Sequence, residues 1–348
     1  MKEIIRKLTE CYGPSGHEAG VRQLILAELT EGGILSGRKI ETRVDAMGNL
    51  LVHQKGNGGG RRVMLAAHMD EIGVVVTHVD QRGFLRFGSV GGVRPLSLTG
   101  GRVRFSDGTV GVIGLEKLED AAKVPPLEKY FIDVGAASRE DCLIKVGDIG
   151  CFQRPCEELG DRMIAKAMDD RIGCAVLIQA LRELRASPHD LSFVFTVQEE
   201  IGLRGARVAA QYFNPALAIA IDATPAYDLP VHDGSENTFY NTRLGDGPAI
   251  YTVDSSTLND PRLIRFLKET AERTGIPYQL RQPGGGGTDA GAIHRALAGI
   301  PSVSVSVPHR YTHSPASLSR IDDWKNTLLL LHAALARLTP GVLAREKA

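Results

Sequence analysis

Five short islands of this sequence carry side chains able to do chemistry: His68-Met69-Asp70, Asp169-Asp170-Arg171, Glu199-Glu200, Asp222 and His313. Most of the acids stand at or just past the end of an apolar, strand-like run. A carboxylate there is costly unless it meets hydrogen-bond donors, a cation or a metal. Carboxylates and two histidines gathered from distant segments make a ligand set for two hydrolytic metal ions. The chemistry implied is metal-dependent hydrolysis.

Each island also has a plainer reading. His68 and Asp70 are two apart in an extended segment, so they point the same way and Asp70 can hold the second ring nitrogen of His68. Alone, they would be a surface pair. Asp169-Asp170-Arg171 opens a helical stretch, where an Asp suits the cap and the dipole. Within a site, Asp169 becomes a carboxylate bridging two metals, with Asp170 and Arg171 in support. Glu199-Glu200 follows the apolar run Phe193–Val197, and adjacent carboxylates repel. A division of labour fits them, one Glu ligating metal and the other moving a proton. Asp222 ends Leu217–Ile221, and His313 comes after Ser302–Val307. In an open α/β sheet, ligands gather at the carboxyl ends of such strands.

The run Gly284–Gly287, followed by Thr288-Asp289, has neither the Lys-Ser/Thr of a P-loop nor dinucleotide spacing. It reads either as a turn capped by Thr288 or Asp289, or as a loop whose backbone approaches the substrate. No G-x-S-x-G elbow occurs, which argues against a serine hydrolase.

The elements that must position these residues fall into two patterns. Ile4, Ile5 and Leu8 share one face of an opening helix, which Gly13-Pro14-Ser15-Gly16 breaks. Ser15 and Glu18 fit a capping box for a second helix with Val21, Leu24, Ile25 and Leu29 inward. Strands follow at Lys39–Val44, Leu50–His53 and Arg61–Ala67. From about Ile72 to Asp161, short β-like runs recur between Gly, Asp and Pro, the pattern of a small β-barrel or sandwich. After Ala165, helices at Asp169–Leu184, Leu203–Ala210, Asp260–Thr274, Asp289–Ala298 and Ile321–Leu338 alternate with strands at Leu191–Val197, Ala216–Ile221, Tyr278–Leu280 and Ser302–Val307. This is an α/β fold: a mixed, largely parallel sheet with helices on both faces, built from residues 1–71 and 162–348 and interrupted by a β-barrel at 72–161.

Composition excludes several classes. The 348 residues carry 41 basic and 41 acidic side chains, with no basic run for nucleic acid to bind. Five irregularly spaced cysteines suit reduced thiols, and Cys174 falls in an apolar helical pattern as a core residue. The charged N-terminus lacks a signal stretch and no run is long enough to cross a membrane, so the expectation is a cytoplasmic protein with no membrane partner.

The order His-x-Asp, Asp-Asp-Arg, Glu-Glu, Asp, His resembles the TET, or glutamyl/leucyl/lysyl, aminopeptidases, a family of dinuclear metallopeptidases some of whose members are labelled cellulase M or endoglucanase. The resemblance spans nearly the whole chain and includes Gly13-Pro14-Ser15-Gly16, Gly286–Ala290 and Arg310-Tyr311-Thr312-His313-Ser314. Where relatives often carry a Lys-Pro-Pro-His-like tract, this chain reads Leu115-Glu116-Lys117-Leu118. The resemblance implies a phosphorylase/peptidase-like catalytic domain and an inserted dimerisation domain. It implies one metal on His68, Asp169 and Asp222, and another on Asp169, Glu200 and His313. Glu199 would be the general base and Asp70 the acid orienting His68. Two divalent ions, Zn²⁺ or else Co²⁺ or Mn²⁺, would lower the pKa of a shared water to give hydroxide, which attacks the N-terminal peptide bond of a peptide substrate. Dimers assembling into a tetrahedral dodecamer would be the homo-oligomeric state. A deacylase or a glycosidase would keep the fold, but glycosidase carboxylate pairs work without histidine ligands. A scaffold with a relict site is a third reading, which the complete ligand set opposes.

Overall fold

The computed structural model describes residues 1–35, 40–118, 120, 122–184, 186–238 and 241–344; Lys39, the expected start of a strand, lies outside them. Helices α1 (Lys2–Glu10) and α2 (Ala19–Glu31) lead into strands β1 (Ile40–Val44), β2 (Leu50–Gln54) and β3 (Arg62–His68). Six strands then form a closed barrel: β4 (Gly73–Val79), β5 (Leu85–Val90), β6 (Arg102–Phe105), β7 (Val110–Leu115), β8 (Tyr130–Asp133) and β9 (Ile149–Phe152). The chain continues as β10 (Glu157–Leu159), β11 (Arg162–Ala165), α3 (Met168–Glu183), β12 (Asp190–Thr196), α4 (Arg204–Phe213), β13 (Leu217–Pro225) and β14 (Ala249–Tyr251). It ends in α5 (Pro261–Thr274), β15 (Gln279–Arg281), α6 (Ala290–Ile293), β16 (Ser302–Arg310), β17 (Ser317–Arg320), α7 (Ile321–Arg337) and the single turn α8 (Gly341–Ala344).

Among the described residues, eleven strands make one sheet in the order β1-β2-β12-β3-β13-β16-β17-β11-β10, with β14 and β15 attached beside β16. The central neighbours β12, β3, β13 and β16 run parallel. The flanks are antiparallel. Expectation and structure agree on a mixed sheet with a parallel centre and helices on both faces, plus a barrel.

Side-chain alternation explains the layering. Val63, Leu65 and Ala67 of β3, Leu191, Phe193 and Phe195 of β12, and Leu217, Ile219 and Ile221 of β13 face the large core under α1, α2, α3, α5 and α7. Met64, Ala66, Val194 and Ala218 face the other way, into a smaller core under α4 and α6. Each fully buried Phe or Leu contributes roughly 1.5–3 kcal/mol. The barrel has its own core of Val74, Val76, Leu85, Phe87, Val103, Phe105 and Ile132. Among the described residues, no helix is long and apolar enough to cross a membrane.

Three local expectations fail. The Ser15–Glu18 capping box does not form: α2 begins after Glu18 without a side-chain cap, because Ser15 Oγ is taken by Asp70. The helix expected over 289–298 is one turn, Ala290–Ile293, and the chain then turns away through Leu297 (φ 54°) and Gly299 (φ 97°). Neither Thr288 nor Asp289 caps it; Thr288 bonds Ser304, and Asp289 turns inward to Thr196. β10, β11, β14 and β17, of three or four residues each, were not read from the sequence. β10 pairs with β11 in the large sheet, not in the barrel.

Candidate metal centre and its cleft

The side of the sheet covered only by α4 and the single turn of α6 leaves its strand ends open. His68 continues the Met64, Ala66 side of β3, and Asp222 continues the Ala218, Ala220 side of β13, so both face that opening. Glu199 and Glu200 follow β12, and His313 lies in the turn between β16 and β17. Asp169 and Asp170 have non-helical dihedrals, with a cis peptide between them, and the regular part of α3 starts after them. Asp169 is therefore not the helix-capping residue that its position suggests.

Asp169 is the hub of the cluster. Its Oδ1 is 3.1 Å from His68 Nε2, and its Oδ2 is 3.7 Å from His313 Nε2. Asp222 Oδ1 is 3.8 Å from the same His68 nitrogen. Glu200 Oε2 is 3.3 Å from His313 Nε2. One carboxylate thus stands between two His–acid pairs. Ligand atoms of His68, Glu199 and Asp222 lie within 4.8 Å of one another, and so do those of His68, Asp169 and Glu200. The structure brings together every candidate ligand named from the sequence, and adds Glu199 to the cluster.

The electrostatics are frustrated. Burial raises the Glu199, Glu200 and Asp222 carboxyls above their ordinary range, and the neighbouring Asp169, Asp170, Asp289 and Asp70 charges push further. Burial pulls the two imidazoles down, but the carboxylates outweigh it. Glu199, Asp169 and Asp70 hold His68 well above its usual value, and Glu200 and Asp169 hold His313 at about 9. Acids that resist ionising surround histidines that resist losing protons. Divalent cations in place of those protons would let the carboxylates ionise and the imidazoles ligate in neutral form. Mixed N and O donors at these separations fit Zn²⁺, and also Co²⁺ or Mn²⁺.

The residues around the cluster hold it in place. Asp70 is fully buried; its carboxylate accepts Ser15 Oγ–H at 2.6 Å and the backbone N–H groups of Glu199 (3.0 Å) and Glu200 (3.2 Å). His68 Nδ1 is 3.4 Å from Asp70 Oδ1 and closer, 3.1 Å, to the Asp70 backbone carbonyl, so Asp70 orients His68 mainly through its main chain. Asp170 accepts the His68 N–H and the Gly173 N–H. Arg171, with no exposed surface, donates to the carbonyls of Met69, Leu8 and Gly13. Cys174 is a core residue whose thiol, pushed up by burial, donates to the His68 carbonyl. His309 is buried with neither ring nitrogen bonded, and burial holds its pKa down at about 4. Five non-glycine residues with left-handed φ flank these groups: Ala167, Gln198, Leu203, Tyr311 and His313. Such conformations cost about 1–3 kcal/mol each and persist where the surroundings over-determine them.

A cleft of about 470 Å³ opens above the cluster. Asp169, Glu199, Glu200, Asp222 and His313 form its floor, and Tyr251, Ser255, Arg281 and Gly285–Gly287 line a wall. The glycine run does approach the cleft, as one of its two sequence readings held. The barrel reaches in as well: a Cβ on Gly92 would run into His313 Nδ1, and Arg94 lines the cleft. Sequence reasoning missed Ser15 as a partner of Asp70, although the turn containing it had been singled out. It also missed Gly92, Arg94, Tyr251 and Arg281, which have no local signature.

Comparison with known proteins gives an independent line. A family model described as M42 glutamyl aminopeptidase matches residues 48–330. A lysyl aminopeptidase of Pyrococcus furiosus is 35% identical over 354 residues, covering 97% of this chain and 97% of that protein. An aminopeptidase structure from the archaeon Desulfurococcus kamchatkensis superposes with a TM-score of 0.90 at 40% identity, covering 98% of this chain and 96% of that one. The TET1 peptidase of Pyrococcus horikoshii, which can assemble into a tetrahedron or a large octahedral shell, gives 0.83 at 34% identity, covering 97% and 99%.

Proposed function

The chain belongs to the M42 glutamyl aminopeptidase family, and from that premise we propose that it is a dinuclear metalloaminopeptidase removing the N-terminal residue of peptides. The observation that carries the reading is the hub geometry: the two oxygens of Asp169 face two histidines, each backed by a further acid. His68, Asp169 and Asp222 would hold one ion, and Asp169, Glu200 and His313 the other. Bound there, the ions would supply a water of lowered pKa and positive charge for the carbonyl oxygen.

The chain's own residues would do the rest. Glu199 accepts the proton of the attacking water and returns it to the leaving amine. It suits that role because it sits within reach of His68 and Asp222, and because Asp70 fixes its backbone. Asp70 keeps Glu199 and Glu200 in register while its main chain steadies His68. The glycine run and Arg94 bound the cleft.

The same reading takes residues 1–71 and 162–348 as the catalytic unit and 72–161 as an inserted dimerisation unit. The assembly of the P. horikoshii relative supports a homo-oligomer, and the free thiols suit a cytoplasmic enzyme. Glu199→Gln tests the mechanism. It is expected to keep its metal and lose kcat on aminoacyl-p-nitroanilides by at least about a hundredfold. Normal turnover would remove Glu199 from the proton path. Chelation is expected to abolish activity, and carboxymethyl-cellulose is expected to remain intact throughout.

A further inference from the structure

A second cavity, of about 230 Å³, lies at the root of the barrel and shares no lining residue with the metal cleft. It is enclosed by the end of α1, the outer face of β6 and the segment from β9 to β10. Val103 and Phe105 point into the barrel core, so Arg102 and Arg104 point outward on the same side, about 7 Å apart. Gln153 bonds the Arg102 carbonyl through its N–H, and Arg154 follows it in the chain. Three arginines therefore line one small cavity.

Their charges are poorly answered. No carboxylate among the described residues pairs with Arg102 or Arg104; Arg104 reaches only the Glu10 carbonyl, at 3.5 Å, and lies over the Tyr12 ring at 6.0 Å. Arg154 Nη2 is 3.9 Å from Glu157 Oε1, and its Nε is buried without an acceptor. Gln153 Oε1 is buried without a donor. Glu10 is the one acid in the lining, and its Oε1 already accepts the Cys156 N–H at 2.8 Å. Lys166, also in the lining, uses its three N–H groups on the Cys11 carbonyl and both Glu71 oxygens. Glu71 serves Arg171 as well, so this side adds a further positive charge. Like charges gathered in a concave site repel unless an anion is shared among them. Solvation of an ordinary surface would leave the buried Arg154 Nε and Gln153 Oε1 unanswered.

We propose that this cavity is a binding site for a phosphoryl group, held by Arg102, Arg104 and Arg154 at the junction of the barrel and the large sheet. Guanidinium forks match phosphate oxygens and supply both donors and charge. The hydroxyl of a monohydrogen phosphate would give Gln153 Oε1 its missing donor. The volume holds a phosphate with a few waters, each occupying about 30 Å³. An open shelf lined by Tyr12, Gly20 and Leu24 shares Glu10 and Arg104 with the cavity, and leaves space for the body of an organic phosphate. Two of the arginines stand on the barrel and the third on the segment that leads back to the sheet, so a bound anion would tie the two units together. The site is separate from the metal centre, and the inference does not rest on the aminopeptidase reading.

The test is calorimetric titration of the metal-loaded protein with inorganic phosphate and with AMP, in a chloride buffer of low ionic strength. Phosphate also ligates divalent ions, so each titration is repeated after chelation, and the site that survives chelation is the one at issue. The expected result is one such site per chain with a Kd below about 1 mM, weakening as salt is added. Arg102→Gln combined with Arg104→Gln is expected to weaken binding at least about tenfold, while keeping its metal and its Tm in phosphate-free buffer. AMP binding tighter than phosphate identifies an organic phosphate whose body rests on the shelf; phosphate binding as tightly or more so identifies the inorganic ion. Absence of a chelation-resistant site in the wild type overturns the inference. So does unchanged phosphate affinity in a folded double variant.

Discussion

At the scale of residues, the centre is defined by protons held where they are not wanted. His313 is held at about 9, against an ordinary imidazole value of about 6.5. Between those values the metal-free native state keeps a proton that the unfolded chain has released. The unfolded state then binds fewer protons, so stability must fall as pH rises through the window. His68, held above its ordinary value by Glu199, Asp169 and Asp70, contributes with the same sign. Divalent cations compete for the same nitrogens and bind better as the proton leaves. The expected outcome is a Tm that drops between about pH 6.5 and 9 in chelator-treated protein and holds level in metal-saturated protein. Counting His313 alone, the loss is roughly 3 kcal/mol. Thermal melts at pH 6, 7.5 and 9 with and without Zn²⁺ would show it; an equal fall in both series would mean that the histidines are not ligands.

At the scale of elements, the entry into α3 carries the site. Gly173 lies in the first regular turn, where helix propensity alone would make Gly→Ala stabilising by about 1 kcal/mol. A Cβ there would run into both carboxylate oxygens of Asp170, which also holds the His68 N–H. Gly173→Ala is therefore expected to lower the Tm, by an amount equivalent to about 1–3 kcal/mol, and to weaken metal retention. A higher Tm would show the wedge to be slack. This junction also marks what the sequence could reveal. The pattern of Asp169-Asp170-Arg171 was legible, because charged residues before an apolar helical period stand out. Its geometry was not, because a kinked start and an inward Asp170 depend on His68, a hundred residues away. For the same reason Ser15 looked like a helix cap: its partner Asp70 belongs to another element. The parallel centre of the sheet could be read from runs such as Phe193–Val197 and Leu217–Ile221, each uniformly apolar. Flanking strands such as β10 (Glu157–Leu159) and β17 (Ser317–Arg320) could not, since they are short and mostly polar and show no apolar run. Arg281 gave no signal at all, because nothing local marks a lone arginine after a weak strand as lining the cleft.

At the scale of the whole molecule, the question is how a barrel inserted between β3 and β10 keeps its place beside the centre. The chain leaves the large sheet through Asp70 and Glu71 and rejoins it at β10; β11 then runs on to Lys166 and Asp169, so the exit and the end of β11 both lie next to the ligands. A buried ion pair ties them: Lys166 Nζ is 2.7 and 2.8 Å from the two Glu71 oxygens, and Arg171 Nη2 adds a third bond at 3.3 Å. The side chains of the pair are 3% and 2% exposed, so neither charge has water to fall back on. Replacing both charges with apolar groups of similar size is often tolerated, whereas removing one strands the other and costs about 3–5 kcal/mol. Glu71→Gln is the harsher single change, because it leaves both Lys166 and Arg171 without their acid. It is expected to destabilise the protein by that amount and to reduce activity, since Arg171 also bonds the Met69 carbonyl between His68 and Asp70. Glu71→Leu combined with Lys166→Met is expected to recover part of the stability. Because Arg171 stays charged in both, the recovery should be incomplete. Chemical denaturation of the two variants against the wild type measures the difference. Equal stability of the single variant and the wild type would mean that the barrel is held by its own packing, not by the charges at its root.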